Sequence, residues 1–133
     1  MSKLLSYFKD YESYHLTAGN KVCHFIGIPS ITITLLGLLS YLKFFEVPGL
    51  PLLQADAGTL LWLGASIWYL TLHTKLGISF SLFGLGCYFV GRAMPLSALW
   101  TVFILGWIVQ YFGHLYYEKK SPAFTKNILH ILI

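Results

Sequence analysis

From residue 24 to residue 117 the chain alternates long apolar stretches with short turn-forming joints. The stretches lie near 24–44, 57–73, 76–93 and 96–117. Each approaches the roughly 20 residues that carry a helix across the hydrocarbon core of a bilayer, although the second and third are short. The first joint, "EVPGLPLLQAD", is rich in turn formers. The second is only a few residues around Thr74 and Lys75, so stretches two and three form a tight hairpin. Met94-Pro95 separates three from four, because the residue before a proline avoids helical backbone. Residues 2–18 follow another rhythm. On a helical wheel of about 100° per residue, Leu4, Tyr7, Phe8, Tyr11, Tyr14, His15 and Ala18 share one face, and Ser2, Lys3, Ser6, Lys9, Asp10, Glu12 and Ser13 the other. That pattern predicts an amphipathic helix lying in the membrane interface. Beyond the fourth stretch, "YEKKSPAFTKN" reads as a polar turn, and residues 127–133 open a further apolar run. No internal repeat is visible. The expected fold class is all-α: an integral membrane helical bundle in which four transmembrane helices follow an amphipathic interfacial helix. Residues 1–133 are expected to form a single membrane domain.

Composition agrees with a membrane protein. Hydrophobic residues make up 56% of the chain and charged residues 11%, where soluble domains carry about 25% charged residues. Residues 1–21 contain Lys3, Lys9, Asp10, Glu12 and Lys21 and lack the apolar core of a signal peptide. The net charge is +4, but no basic stripe or base-stacking platform accompanies it, so a nucleic-acid partner is excluded. In a membrane protein the basic excess sets orientation instead. With both termini in the cytosol, the inside holds Lys3, Lys9, Lys21, Lys75, Lys119, Lys120 and Lys126, and the outside only Lys43 and Arg92. The membrane is then the endoplasmic reticulum in a eukaryote or the inner membrane in a bacterium. Cys23 and Cys87 lie at different depths and read as packing residues, not a disulfide.

This orientation brings His15, His24, His73, His114 and His130 to the cytosolic membrane face, a segregation that unrelated core histidines would not be expected to show. Each has a bland alternative: His15 as an aromatic-like interfacial residue, His24 as a snorkelling helix end, His73 as an interfacial neighbour of Lys75. His15 and His24 are nine residues apart, on opposite sides of an uninterrupted helix. They meet only if the chain bends, and Gly19-Asn20 is expected to supply the bend, with Asn20 capping the next helix. His114 and Glu118 are four apart and share a face, with Gln110 one turn earlier. A histidine and a carboxylate at that spacing can bind one metal, or the carboxylate can orient a ligand or act as a base. Glu118 can equally pair with Lys119, Lys120 or Lys21. Ionisable residues at membrane depth mark function by default. Imidazole suits zinc, copper, iron and nickel, so non-haem Fe(II) oxygen chemistry and zinc hydrolysis both remain open. So do a haem-binding membrane electron carrier and a structural membrane protein. A transporter would want polar residues near the midplane, which is almost purely apolar here.

Two segments, "YHLTAGNKVCHFIGIP" and "WIVQYFGHLYYEKKSPA", resemble the membrane-bound 2-hydroxy-fatty-acid dioxygenases, a family with a fungal member in phytosphingosine breakdown and bacterial relatives. The resemblance rests on Tyr14-His15, Asn20, His24 and Pro29, then on Trp107, Gly113-His114, Glu118-Lys119 and Pro122-Ala123. It implies Fe(II)-dependent α-oxidation, in which a 2-hydroxy fatty acid and O2 give an acid one carbon shorter. By this resemblance His15, His24 and His114 are the metal ligands, with Fe(II) as cofactor and zinc as the alternative. Asn20 and Glu118 match motif positions and become catalytic candidates. No family role transfers to His73 or His130, which stay additional candidates. Lys21 and Lys119 are expected to attract the substrate carboxylate, while the acyl chain lies among the apolar helices. The expected partners are a lipid or fatty acid and O2, and a homo-oligomer is compatible with all of this. Members of the family usually continue with a further apolar stretch beyond the position of Ile133.

Overall fold

In the computed structural model, the residues described are 2–50, 54–119, 122, 125, 126 and 128. They are predominantly helical: α1 (Ser2–Ser13), α2 (Ala18–Leu39), β1 (Lys43–Glu46), β2 (Gln54–Asp56), α3 (Ala57–Leu72), α4 (Thr74–Ala93), α5 (Leu96–Phe112) and a π-helical turn over Gly113–Glu118. Among the described residues, three helical segments are long and apolar enough to cross a membrane: Ala18–Leu39, Thr74–Ala93 and Leu96–Glu118. The longest has 23 residues, about 35 Å at 1.5 Å per residue. The remaining expected span, α3, is a shorter apolar helix of 16 residues. Large apolar side chains such as Phe25, Ile26, Leu63, Ile67, Leu82 and Ile108 are exposed. The expected further apolar run at 127–133 lies outside the described residues, apart from Ile128.

Several boundaries differ from the sequence expectation. α1 stops at Ser13, and α2 starts at Ala18 and runs on through Pro29. The bend therefore falls at residues 14–17, not at Gly19-Asn20. Asn20 sits inside the first turn of α2, and Thr17 does the capping: its Oγ1 accepts the Asn20 N–H at 3.3 Å. A threonine just before the helix satisfies an amide that has no helical partner. The joint expected as plain turns contains an antiparallel two-stranded ribbon pairing Lys43 with Asp56, Phe45 with Ala55 and Glu46 with Gln54. Gly49, at φ +79°, takes the left-handed backbone that the reversal needs.

The chain divides into two compact units: Met1–Ile28 with Ile104–Ile133, and Pro29–Phe103. The second is built on the α3–α4 hairpin. His73 closes α3 and opens α4, where its Nδ1 accepts the Leu76 N–H at 3.4 Å. Leu36, Cys87 and Tyr88 form the buried cluster, with Ile33 and Trp62 packed on it. The Trp62 indole N–H donates to the Ser81 carbonyl at 2.8 Å. Asp56 is fully buried, which requires that its carboxylate be satisfied. Oδ1 accepts the Thr59 N–H at 2.8 Å and the Thr59 hydroxyl at 3.1 Å, and Oδ2 accepts the Tyr88 hydroxyl at 2.5 Å. One side chain thus caps α3 and ties it to α4. Glycines let α2 and α4 touch in this unit: a Cβ at Gly91 would run into the Ile33 carbonyl and the Gly37 backbone.

Candidate metal centre

The other unit brings the two histidine-bearing segments together. His15 lies in the 14–17 break, His24 in α2 and His114 in the π-helical turn. All three are buried, with exposures of 5%, 8% and 3%. One ligand atom from each lies within 4.8 Å of the others, an arrangement that can hold a metal ion. The rings meet at steep angles: centroids are 4.2 Å apart for His15–His24, 5.0 Å for His15–His114 and 4.7 Å for His24–His114, with interplanar angles of 72–83°. Rings so oriented can each present a nitrogen to one shared point.

Backbone partners settle two of the tautomers. A carbonyl only accepts, so His15 Nδ1 donates to the Tyr11 carbonyl at 2.6 Å and His24 Nδ1 to the Asn20 carbonyl at 3.1 Å. Each neutral ring then keeps a lone pair on Nε2, the nitrogen a metal would take. His15 Nε2 is buried without a hydrogen-bond partner among the described residues. The Nε2 atoms of His24 and His114 are 3.1 Å apart, close to the ~3.0–3.4 Å separating two imidazole nitrogens on one ion with ~2.0–2.1 Å bonds. Buried nitrogens are rarely left orphaned, and the set fits a metal. It does not fit a haem between His24 and His114. Axial ligands across an iron stand about 4 Å apart on these bond lengths, and a macrocycle must pass between them.

The surrounding chain orders the site. Tyr11, one turn before His15, also stacks on the imidazole at 3.8 Å and 11°. Burial holds His15 below the usual imidazole value of 6.5; the Tyr11 carbonyl and Glu118 oppose this, and Lys21 adds to it. Burial also raises the Tyr11 phenol. Gly113 permits close approach of the π turn to α2, since a Cβ there would come within 2.5 Å of Asn20 Oδ1 and 2.8 Å of Cys23 Cβ. The π turn ends at Lys119, whose left-handed backbone (φ 54°) sends its N–H back to the His114 carbonyl. Such turns recur where a helix must re-aim a side chain.

Glu118 is not part of the group of ligand atoms. Its Oε1 accepts three hydrogen bonds: from the Thr17 N–H at 2.7 Å, the Thr17 hydroxyl at 3.0 Å and Asn20 Nδ2 at 3.3 Å. Asn20, fully buried, also donates from Nδ2 to the Tyr14 carbonyl at 3.1 Å. Glu118 and Asn20 thus join the segment carrying His15 to the turn carrying His114. Lys21 and Lys119 are exposed. His73 caps α4 and is not in the histidine group. His130 and Lys120 lie outside the described residues. Sequence reasoning missed Thr17 and the double role of Tyr11. Their signals were a threonine preceding a helix start and an aromatic four residues before a histidine.

The sequence profile of the family described as 2-hydroxy-palmitic acid dioxygenase Mpo1-like matches residues 1–133. The chain belongs to the Mpo1-like family. No curated protein and no solved structure matches it. The family description names a dioxygenase of a 2-hydroxy fatty acid, and a buried three-histidine cluster is chemistry that such a reaction can use.

Proposed function

We propose that this protein is an Fe(II)-dependent dioxygenase that shortens 2-hydroxy fatty acids by one carbon. The observation that carries the reading is the buried cluster of His15, His24 and His114 in a chain of the Mpo1-like family. The overall reaction balances as RCH(OH)COOH + O2 giving RCOOH, CO2 and H2O. His15, His24 and His114 would hold the metal. Bound there, iron supplies the redox chemistry with O2 that no amino-acid side chain has. A metal held by the three imidazoles would bring the substrate headgroup and O2 together at one point. Asn20 and Glu118 support catalysis by holding the His15 segment against the His114 turn. Lys21 and Lys119 attract the carboxylate headgroup from solution, and the acyl chain lies along the apolar helices. Burial of the histidines excludes bulk water from the reacting centre.

In this reading residues 1–133 act as one membrane domain. α1 lies in the interface, α3 joins α2, α4 and α5 in crossing the bilayer, and both termini and the site face the cytosol. The membrane is the endoplasmic reticulum or a bacterial inner membrane.

The test is metal analysis of protein purified anaerobically in detergent, followed by O2 uptake with a 2-hydroxy fatty acid. Near-stoichiometric iron and substrate-dependent O2 consumption are expected, and His24→Ala should lose both while still inserting in the membrane. Zinc without O2 uptake would replace oxidation with hydrolysis. Full metal content in His24→Ala would overturn the assignment of ligands.

A further inference from the structure

Gln110 is a polar side chain in the apolar helix that leads to His114. It is 94% buried, being 6% exposed, and its Oε1 has no hydrogen-bond partner among the described residues. It lies one turn before His114 on the same helical row. Its carboxamide passes over Gly27: a Cβ there would stand 2.9 Å from Gln110 Nε2 and 3.0 Å from Cδ and Cγ. Gly27 in turn is one turn beyond His24 in α2. The carboxamide therefore sits a single helical turn further along both elements that carry His24 and His114. A glycine makes room for it, on the side leading into the apolar span.

We infer that Gln110 reads the 2-hydroxyl group of the substrate. This rests on the function proposed above. A buried amide oxygen without a donor is costly, and one set a single turn from His24 and His114 suits a ligand that brings a donor. An ionised 2-hydroxy acid has one donor near its headgroup, the hydroxyl. Its carboxylate only accepts. A fatty acid without the hydroxyl, or with a keto group in its place, would lie along the same apolar helices but leave Oε1 unsatisfied. Gln110 is thus a specificity-determining residue that separates 2-hydroxy acids from ordinary fatty acids, which are far more plentiful ligands for an apolar site. Sites built to bond a substrate hydroxyl reject the analogue lacking it more strongly than apolar pockets reject a methylene.

The experiment is binding of 2-hydroxypalmitate and of palmitate to metal-loaded, detergent-purified protein under nitrogen, with metal content and O2 uptake measured in parallel. Wild-type protein should prefer the hydroxylated acid. Gln110→Met, similar in size and without the amide, should keep its metal and lose roughly 10-fold in that preference, chiefly by weaker binding of 2-hydroxypalmitate. Gly27→Ala displaces the carboxamide without removing it. It should lower the preference in the same direction, and it decides the matter if Gln110→Met does not fold. Unchanged preference in folded, metal-bearing variants would overturn the role of Gln110 and leave the dioxygenase reading intact. Equal binding of the two acids and no O2 uptake by iron-loaded wild-type protein would overturn both.

Discussion

Glu118 offers a test of how the centre is held. Its Oε1 accepts the amide and hydroxyl of Thr17 at 2.7 and 3.0 Å and the Asn20 amide at 3.3 Å, and the residue is half-buried. Glu118→Ala removes the acceptor of all three bonds, whereas Glu118→Gln keeps an oxygen that can still accept from Thr17. A hydrogen bond contributes about 1 kcal/mol net. The 3.3 Å contact is the weakest, and bonds sharing one acceptor do not add fully. The alanine variant should therefore loosen the Thr17 segment by about 2 kcal/mol. His15 is two residues from Thr17, so metal binding must restore that order, and metal affinity falls by roughly 30-fold at ~1.4 kcal/mol per tenfold. This lies within the ~10–100-fold typical of residues that orient metal ligands. The assay is competition with a chelator of known affinity on detergent-purified protein. Glu118→Gln should fall several-fold at most. Wild-type affinity in Glu118→Ala would refute the bracing role. A loss in Glu118→Gln as large as in Glu118→Ala would show that the charge itself matters, as for a direct ligand.

Two further outcomes follow from the same structure. Tyr88→Phe leaves Asp56 Oδ2 without its 2.5 Å partner inside a buried cluster, at a cost of about 1–3 kcal/mol. The melting temperature should drop by several degrees while metal stoichiometry stays unchanged, and an unchanged melting temperature would refute the tie between α3 and α4. His15 is held below 6.5 by burial, so as pH falls through 6.5 the unfolded chain takes up its proton before the folded one. The contribution of His15 is fully present above 6.5 and declines as pH falls towards its folded value. Metal-free protein should therefore lose melting temperature as pH falls below about 6.5 more steeply than its His15→Gln variant. Parallel slopes would refute the burial argument.

The apolar stretches and their helical nature were legible in the chain, because a bilayer demands runs of about 20 apolar residues and composition records that demand directly. The histidines could be singled out in the same way, as costly residues in an apolar sequence, and the motifs around them resembled the family to which the chain belongs. Their convergence was another matter. His15 and His114 are 99 positions apart in the chain, and whether their nitrogens meet depends on where α1 ends and how closely α2 and the π turn approach. The break at residues 14–17, the π turn over Gly113–Glu118 and the contact of Gly113 with Asn20 set that geometry. Each is a balance of a few hydrogen bonds and close contacts with no periodic signature. Local pattern likewise pointed to Gly19-Asn20 as the bend, because both tolerate turns. The Thr17 cap and its bonds to Glu118, 101 residues away, outweigh that preference and leave Asn20 inside α2. The sequence by itself determined which residues were available for chemistry. Tertiary packing decided which nitrogens face one another, which carboxylate braces and does not join the cluster, and that Gln110 lies over Gly27 with its amide oxygen unanswered, because those outcomes rest on contacts between segments far apart in the chain.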